Sequence, residues 1–294
     1  MREPDDRLIR TLVDAPPLRA VVVLMTGTCD EAARRHALRG AAVVALGRGL
    51  VAGALMATLT KGGERVTLQV LGDGPLGGIT VDANDAGEVR GYVGRATEVA
   101  ASGGPGRALV TDVVGRCGEV VVHRDLGLKE VYQGRIPLVS GEVDEDLERY
   151  LTQSEQMGSA LRCDVVGGAE GRVAWAGGVL VQTTPGAPED ALTAIRQRLA
   201  AGWVTETLRL ARDPQAALER LVEHPVRLLE WRRVCFRCGC DGERVAGALA
   251  TLGDDVLGEM IAQGVPAEVT CRFCSTTHHV DVAVLRQILS ERAD

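Results

Sequence analysis

Near the C-terminus two short cysteine pairs face each other across thirty residues, Cys238-Gly239-Cys240 and then Cys271-Arg272-Phe273-Cys274. With Cys235 they hold five of the eight cysteines in the chain. Paired cysteines one or two residues apart can turn both sulfurs toward one ion. Four thiolates close a tetrahedron around a soft cation such as Zn(II) and leave no open position for a substrate. The pattern predicts one structural zinc ion held by Cys238, Cys240, Cys271 and Cys274. Two alternatives stay open at this level. Cys235-Phe236-Arg237-Cys238 is itself an acceptable knuckle, and His278 and His279 are near enough to offer nitrogen, although they read as surface residues on an extended segment.

Residues 235–294 hold few large apolar side chains, so a metal must supply much of the stability of this stretch. Structural zinc in small domains contributes roughly 10–16 kcal/mol at neutral pH. Two short helices are expected at Glu243–Leu252 and Asp255–Gln263, then an extended stretch with a knuckle turn at Val265–Cys274, then a helix over Val282–Arg292 capped by Asp281. The same thiolates are the form that oxidants attack, with Arg237 and Arg272 adding positive charge nearby. A disulfide across Cys238-Gly239-Cys240 would close a very small, strained ring of the labile kind. Oxidation would then remove ligands, release zinc and melt the module; a purely structural zinc is the other reading.

Upstream, the pattern is that of an α+β domain. Leu8–Leu12 and Ala20–Leu24 flank Pro16-Pro17, and the second run reads as a strand by its β-branched residues. Thr28 or Asp30 is expected to cap a short helix reaching about Leu38, ahead of a long helix over Ala41–Leu59. That second helix is apolar enough to suggest a membrane span, but Arg48 at its centre would cost about 2.5–3.5 kcal/mol there, so a buried soluble helix is expected. Its small residues, Gly47, Gly49, Ala52, Gly53 and Ala57, would allow close packing.

Alternation at Val66, Leu68 and Val70 predicts a half-buried strand, turned at Gly72-Asp73-Gly74-Pro75 and returning through Ile79 and Val81. Further strands are expected at Val89–Val93, Ala108–Val114, Glu119–His123, Arg162–Val166 and Val173–Thr183. A helix is expected over Asp144–Thr152, and the acidic run Glu142–Glu148 reads as its solvated start. Strands without βαβ repetition favour α+β over α/β. Thr184-Pro185-Gly186-Ala187-Pro188 closes the domain by composition. The expected organisation is an α+β core domain at 1–184, a helical linker region at 185–234, and the zinc module at 235–294.

Several function classes are disfavoured. Residues 235–294 carry five arginines and no lysine against nine acids, the wrong sign for a zinc ribbon that grips phosphates. The net charge of the whole chain, −7, argues the same way for nucleic acid and anionic membranes. No phosphate-binding loop, zincin helix, nucleophile elbow or deaminase motif is present, and no enzyme activity is expected. A thiol–disulfide oxidoreductase would need its Cys-x-x-Cys to open a helix in a thioredoxin-like βαβ setting. Cys29, Cys117 and Cys163 read as isolated buried thiols. The acidic start, Met1–Asp6, leads to no apolar segment with a cleavage site, so no secretory signal is expected. Clustered thiols and the missing signal point to the cytoplasm.

Beyond these readings, the chain resembles the redox-regulated bacterial holdase family known as the 33 kDa chaperonin (heat-shock protein 33). The likeness rests on Phe236-Arg237-Cys238-Gly239-Cys240 with Cys271-Arg272-Phe273-Cys274, and on Leu71-Gly72-Asp73-Gly74-Pro75-Leu76, Val89-Arg90-Gly91-Tyr92, Tyr150-Leu151-Thr152-Gln153-Ser154-Glu155-Gln156 and Ala176-Gly177-Gly178-Val179-Leu180-Val181-Gln182. The resemblance implies an ATP-independent chaperone, inactive while reduced and zinc-loaded. It implies disulfides Cys238–Cys240 and Cys271–Cys274 on oxidation, zinc release, unfolding of the cysteine module and loosening of the linker. Unfolded client proteins are the implied partners, with a homodimer as the oxidised form. Cys235 departs from the pattern and admits another first disulfide, such as Cys235–Cys238.

Overall fold

The computed structural model describes residues 6–60, 64–96, 99, 108–125 and 132–292; the acidic start at residues 1–5 lies outside them. The chain divides into two compact units, Met1–Arg237 and Cys238–Asp294.

In chain order the first unit holds β1 (Arg7–Val13), β2 (Leu18–Leu24), α1 (Thr26–Arg35), α2 (Ala41–Ala57), β3 (Arg65–Gly72), β4 (Ile79–Asn84) and β5 (Glu88–Val93). A one-turn α3 (Thr111–Val114), β6 (Gly118–Asp125), β7 (Tyr132–Pro137), α4 (Val143–Gln153), β8 (Ser159–Gly167) and β9 (Val173–Thr183) follow. Then come α5 (Thr193–Ala200), a π-helical turn at Val204–Leu208, α6 (Pro214–Val222), β10 (Arg227–Arg233) and the two-residue β11 (Cys235–Phe236). One sheet runs β10-β1-β2-β9-β8, the other β11-β5-β4-β3-β6-β7. All pairings in them are antiparallel except β11 with β5.

Both sheets lie against α2, every residue of which is buried. The glycines make that approach possible. A Cβ on Gly53 would come within 2.6 Å of Val81 Cγ1, and one on Gly47 within 2.8 Å of Val165 Cγ2. Arg48, the residue that disfavoured a membrane span, is fully buried and ion-paired to Glu142 at 2.6 Å and Asp164 at 2.9 Å. Among the described residues no helix is long and apolar enough to cross a membrane.

The outer face of the five-stranded sheet forms a second core. Val13, Leu18, Ala20, Val22, Val179 and Val181 are covered there by Leu192, Ile195, Leu199, Trp203, Val204, Leu208, Leu218 and Leu221. Segment 185–234 thus packs as an amphipathic helical layer on an apolar sheet face. It is not helical to its end, because Arg227–Arg233 pairs with β1 as a strand.

Four further expectations are corrected. Ala108–Val114 is not a strand: the Glu142 carboxylate takes the N–H groups of Val110 and Thr111 and the Thr111 hydroxyl, which favours a helical turn. The acidic start of α4 is not solvated. Glu142, Asp144 and Asp146 are buried, because Asp146 accepts N–H bonds from Val139, Ser140 and Gly141 and Asp144 accepts one from Cys163. At α1 the capping carboxylate is Asp6, which receives the N–H groups of Gly27 and Thr28 and the Thr28 hydroxyl. Cys117 is exposed, in a loop whose N–H groups at Arg116 and Cys117 bond the Asp73 carboxylate; Cys29 and Cys163 are buried.

The second unit holds α7 (Gly242–Leu249), α8 (Asp254–Gln263), β12 (Ala267–Thr270), β13 (Thr277–Val280) and α9 (Val282–Ser290). Val245, Leu249, Leu257, Ala267, Val280, Leu285 and Ile288 form its small core. Asp281 stands just before α9, at the capping position, but makes no side-chain capping bond.

Candidate metal centre

Each knuckle is placed by the element beside it. Cys238-Gly239-Cys240 runs directly into α7, whose first turn is capped by the Asp241 carboxylate accepting the Arg244 N–H at 2.9 Å. A Cβ on Gly239 would lie 3.0 Å from the Arg244 guanidinium, the movable end of a long side chain. The other knuckle is the loop of the β12–β13 hairpin, which pairs Thr270 with Thr277. Its turn is closed by Cys271 N–H to Thr276 O at 2.9 Å and Ser275 N–H to Cys271 O at 2.8 Å.

The two turns bring the sulfurs of Cys238, Cys240, Cys271 and Cys274 within 4.8 Å of one another. Cys238 Sγ lies 3.8 Å from Cys271 Sγ, and Cys240 Sγ lies 3.2 Å from Cys274 Sγ. A tetrahedral zinc with bonds of about 2.3 Å sets its sulfurs roughly 3.8 Å apart. The donor set therefore fits a soft divalent cation, which would balance charge that four adjacent thiolates could not otherwise carry.

Without a cation the thiols ionise unequally. Burial pushes Cys240 up, and its hydrogen-bonding neighbours Cys274, Cys238 and Cys271 add to the rise. Burial also raises Cys271, against the N–H groups of Phe273 and Cys274. Cys274 is the exception. Burial opposes its ionisation, but the hydroxyl and N–H of Thr276 and the thiols of Cys240 and Cys271 outweigh it and bring it to about 7.

His278 is not simply a surface residue. Its Nε2 lies 3.4 Å from Cys240 Sγ, close enough to orient that sulfur. The spacing of β13 gives no hint of this, because the contact arises only when the hairpin meets the first knuckle. His279 is exposed and pairs with Glu268 at 3.7 Å. Cys235 is not among the four converging sulfurs. It belongs to β11, where its N–H donates to Gly87 O at 3.0 Å, while the Arg237 guanidinium is paired with Glu88 at 3.1 Å. Neither Cys-x-x-Cys opens a helix: one is a hairpin loop and the other runs out of β11.

The whole chain can be compared with known proteins. The family model described as Hsp33 protein matches residues 6–281. A 33 kDa chaperonin of Geobacillus kaustophilus is 37% identical over 285 residues, covering 96% of this chain and 97% of its own. Another, from a Geobacter species, is 38% identical over 293 residues and covers 98% of each. Among solved structures, the 33 kDa chaperonin (heat shock protein 33 homolog) of Thermotoga maritima superposes with a TM-score of 0.89 over 99% of both chains, at 30% identity.

Proposed function

The chain belongs to the Hsp33 protein family, and on that premise we propose that this chaperone is a redox-regulated, ATP-independent holdase of the cytoplasm that binds unfolding proteins. In the reduced state Cys238, Cys240, Cys271 and Cys274 hold one Zn(II), which crosslinks the two knuckles and stabilises the small second unit. Oxidation forms two disulfides, Cys238–Cys240 and Cys271–Cys274, each from two thiols and one peroxide with release of two waters. The four-cysteine cluster then has no thiolates left to hold the metal. Loss of that crosslink unfolds residues 238–294 and loosens the helices of segment 185–234, and the oxidised form dimerises.

The observation that carries the reading is the pairing of two features in one chain. A four-sulfur cluster organises a unit whose own core is small, and a helical layer hides an apolar sheet face of the kind that could hold a client. Zinc and free thiols are to be counted before and after peroxide or hypochlorite, beside an aggregation assay with a heat-denatured client. Oxidised, zinc-free protein should suppress aggregation while reduced protein does not; equal activity in both states would sink the switch. An insulin-reduction assay separates the rival, since turnover there would favour a thiol–disulfide oxidoreductase.

A further inference from the structure

Where α2 ends, the filling between the two sheets changes from apolar to cationic. Arg10 lines a cavity there with Arg232, Asp85, Thr58, Thr60 and Ala57, the last three from the C-terminal end of the helix. Directly opposed strand residues share a face. Arg10 stands opposite Val21 of the main core, and Arg19, opposite Leu12 and Gln182, is its diagonal neighbour on that inner face. On the other sheet Arg124 stands opposite Val66, a residue of the same core.

Two of these three arginines are matched by acids. Arg10 donates to Glu230 at 3.1 Å, a carboxylate it shares with Arg232, and Arg124 donates to Glu155 at 2.6 Å. Even so, Nε of each is buried without a hydrogen-bond partner among the described residues. Arg19 has no acid. Its Nη2 donates to the neutral Gln182 Oε1, and the Gln182 amide is spent on Ser159 Oγ at 3.0 Å. Nε and Nη1 of Arg19 bond no described residue. Burial, then Arg10, then Arg124 bring its pKa down to about 10, with no carboxylate acting the other way. The negative end of α2 offers only about half a charge. Its carbonyls at Leu55, Met56 and Ala57 already take the N–H groups of Thr58, Leu59 and Thr60. Arg19 is therefore a half-buried full charge with two like charges near it.

We propose that Arg19, with Arg10 and Arg124 near it, is a binding site for a phosphate-class oxyanion on the first unit. A guanidinium has five N–H donors and Gln182 takes one, so Arg19 keeps donors for more than one phosphate oxygen. A dianion is drawn by all three cations together, whereas chloride brings a single charge and accepts no forked pair of bonds. The anion supplies the partner that Arg19 lacks within the chain. It binds the folded first unit and not the unfolded chain, so it stabilises that unit by mass action. The site uses none of the four sulfurs and asks nothing of the holdase reading.

The test titrates full-length, reduced, zinc-loaded protein with inorganic phosphate by calorimetry, at an ionic strength held constant with chloride. The wild type should bind saturably, and Arg19→Met should bind at least about tenfold more weakly. Arg19→Lys, which keeps the cation and so guards against a misfolded Arg19→Met, should also bind more weakly, because an ammonium offers fewer and differently placed donors. Arg135→Met, which truncates an exposed arginine paired with Glu119 at 3.7 Å, should bind as the wild type does. Melting curves separate binding from a structural role. In chloride alone Arg19→Met should melt no lower than the wild type, since it removes an unmatched cation; added phosphate should raise the melting temperature of the wild type and not that of the variant. Three results overturn the site: no saturable binding by the wild type, equal affinity in the wild type and either Arg19 variant, or Arg19→Met melting lower by the same amount with and without phosphate. The last would make Arg19 only a structural partner of Gln182.

Discussion

The Arg48 guanidinium donates to Glu142 at 2.6 Å from the middle of a helix with no exposed residue. Its other arm reaches Asp164 at 2.9 Å and the Ala108 carbonyl. One side chain thereby joins α2, the turn before α3, the start of α4 and β8. Removing the cation leaves two buried carboxylates without it, so Arg48→Met should destabilise the first unit by about 3–5 kcal/mol. Arg48→Lys should recover little, because one ammonium nitrogen cannot stand at the two places from which Nη1 reaches Glu142 and Nη2 reaches Asp164 and Ala108. Urea unfolding of the reduced protein measures this; a loss below about 1 kcal/mol would contradict it.

Metal removal should act locally. A core of seven buried residues cannot by itself support residues 238–294. Under a chelator and reductant, hydrogen exchange should show protection lost across α7, α8 and α9 and kept in β1, β2 and β9. Protection that survives in both units would show the metal to be dispensable.

The same cluster predicts how metal affinity depends on pH. Cys240 and Cys271 are raised above their ordinary value of 9.0, so both hold protons at neutral pH, whereas Cys274 is half ionised near about 7. Binding must expel those protons, so affinity rises with pH. Two protons correspond to roughly a hundredfold per pH unit. Competition against a colorimetric chelator at pH about 7 and about 8 should show that sign, and a dependence below about tenfold would refute it.

His278 touches the cluster through Cys240. Groups that orient a ligand typically change metal affinity by about 10–100-fold. His278→Ala should therefore lower zinc affinity by about tenfold with stoichiometry unchanged, read in the same competition assay. His279→Ala, which removes an exposed pair with Glu268, should have no such effect.

What the sequence made legible was whatever depends on nearby residues. The alternation at Val66, Leu68 and Val70, the small-residue run of α2 and the two cysteine knuckles each carry their own period or spacing. What it hid depends on partners far along the chain. Glu142 reads as a surface acid until Arg48, 94 residues away, and the turn at Val110 claim its carboxylate. Arg227–Arg233 follows a helical run and becomes a strand only because β1, some 220 residues earlier, offers an edge. His278 could not be told from His279 without the fold.

The helical layer is held by more than apolar contact. The Thr205 hydroxyl in the π-helical turn donates to Asp164, the acid that also takes Arg48. Thr205→Val keeps the shape and removes that bond, leaving one buried carboxylate oxygen short of a donor at a cost of about 1–3 kcal/mol. The layer should lift more readily, so the oxidant dose or temperature needed for aggregation suppression should fall. An unchanged activation threshold would mean that the layer is held by its apolar face alone.

Cys235 is where the chain departs from the knuckle pattern, and its surroundings predict that it is a bystander. Its N–H is engaged with Gly87 O, and the next residue, Phe236, lies under the Arg35 guanidinium at 5.0 Å from the ring centroid. The four converging sulfurs do not include it. Cys235→Ser should therefore bind one zinc per chain as the wild type does. Peptide mapping after oxidation should give Cys238–Cys240 and Cys271–Cys274 in both proteins. A Cys235–Cys238 peptide from the wild type, replaced by Cys238–Cys240 in Cys235→Ser, would instead make Cys235 the preferred partner and move the first disulfide out of the metal site.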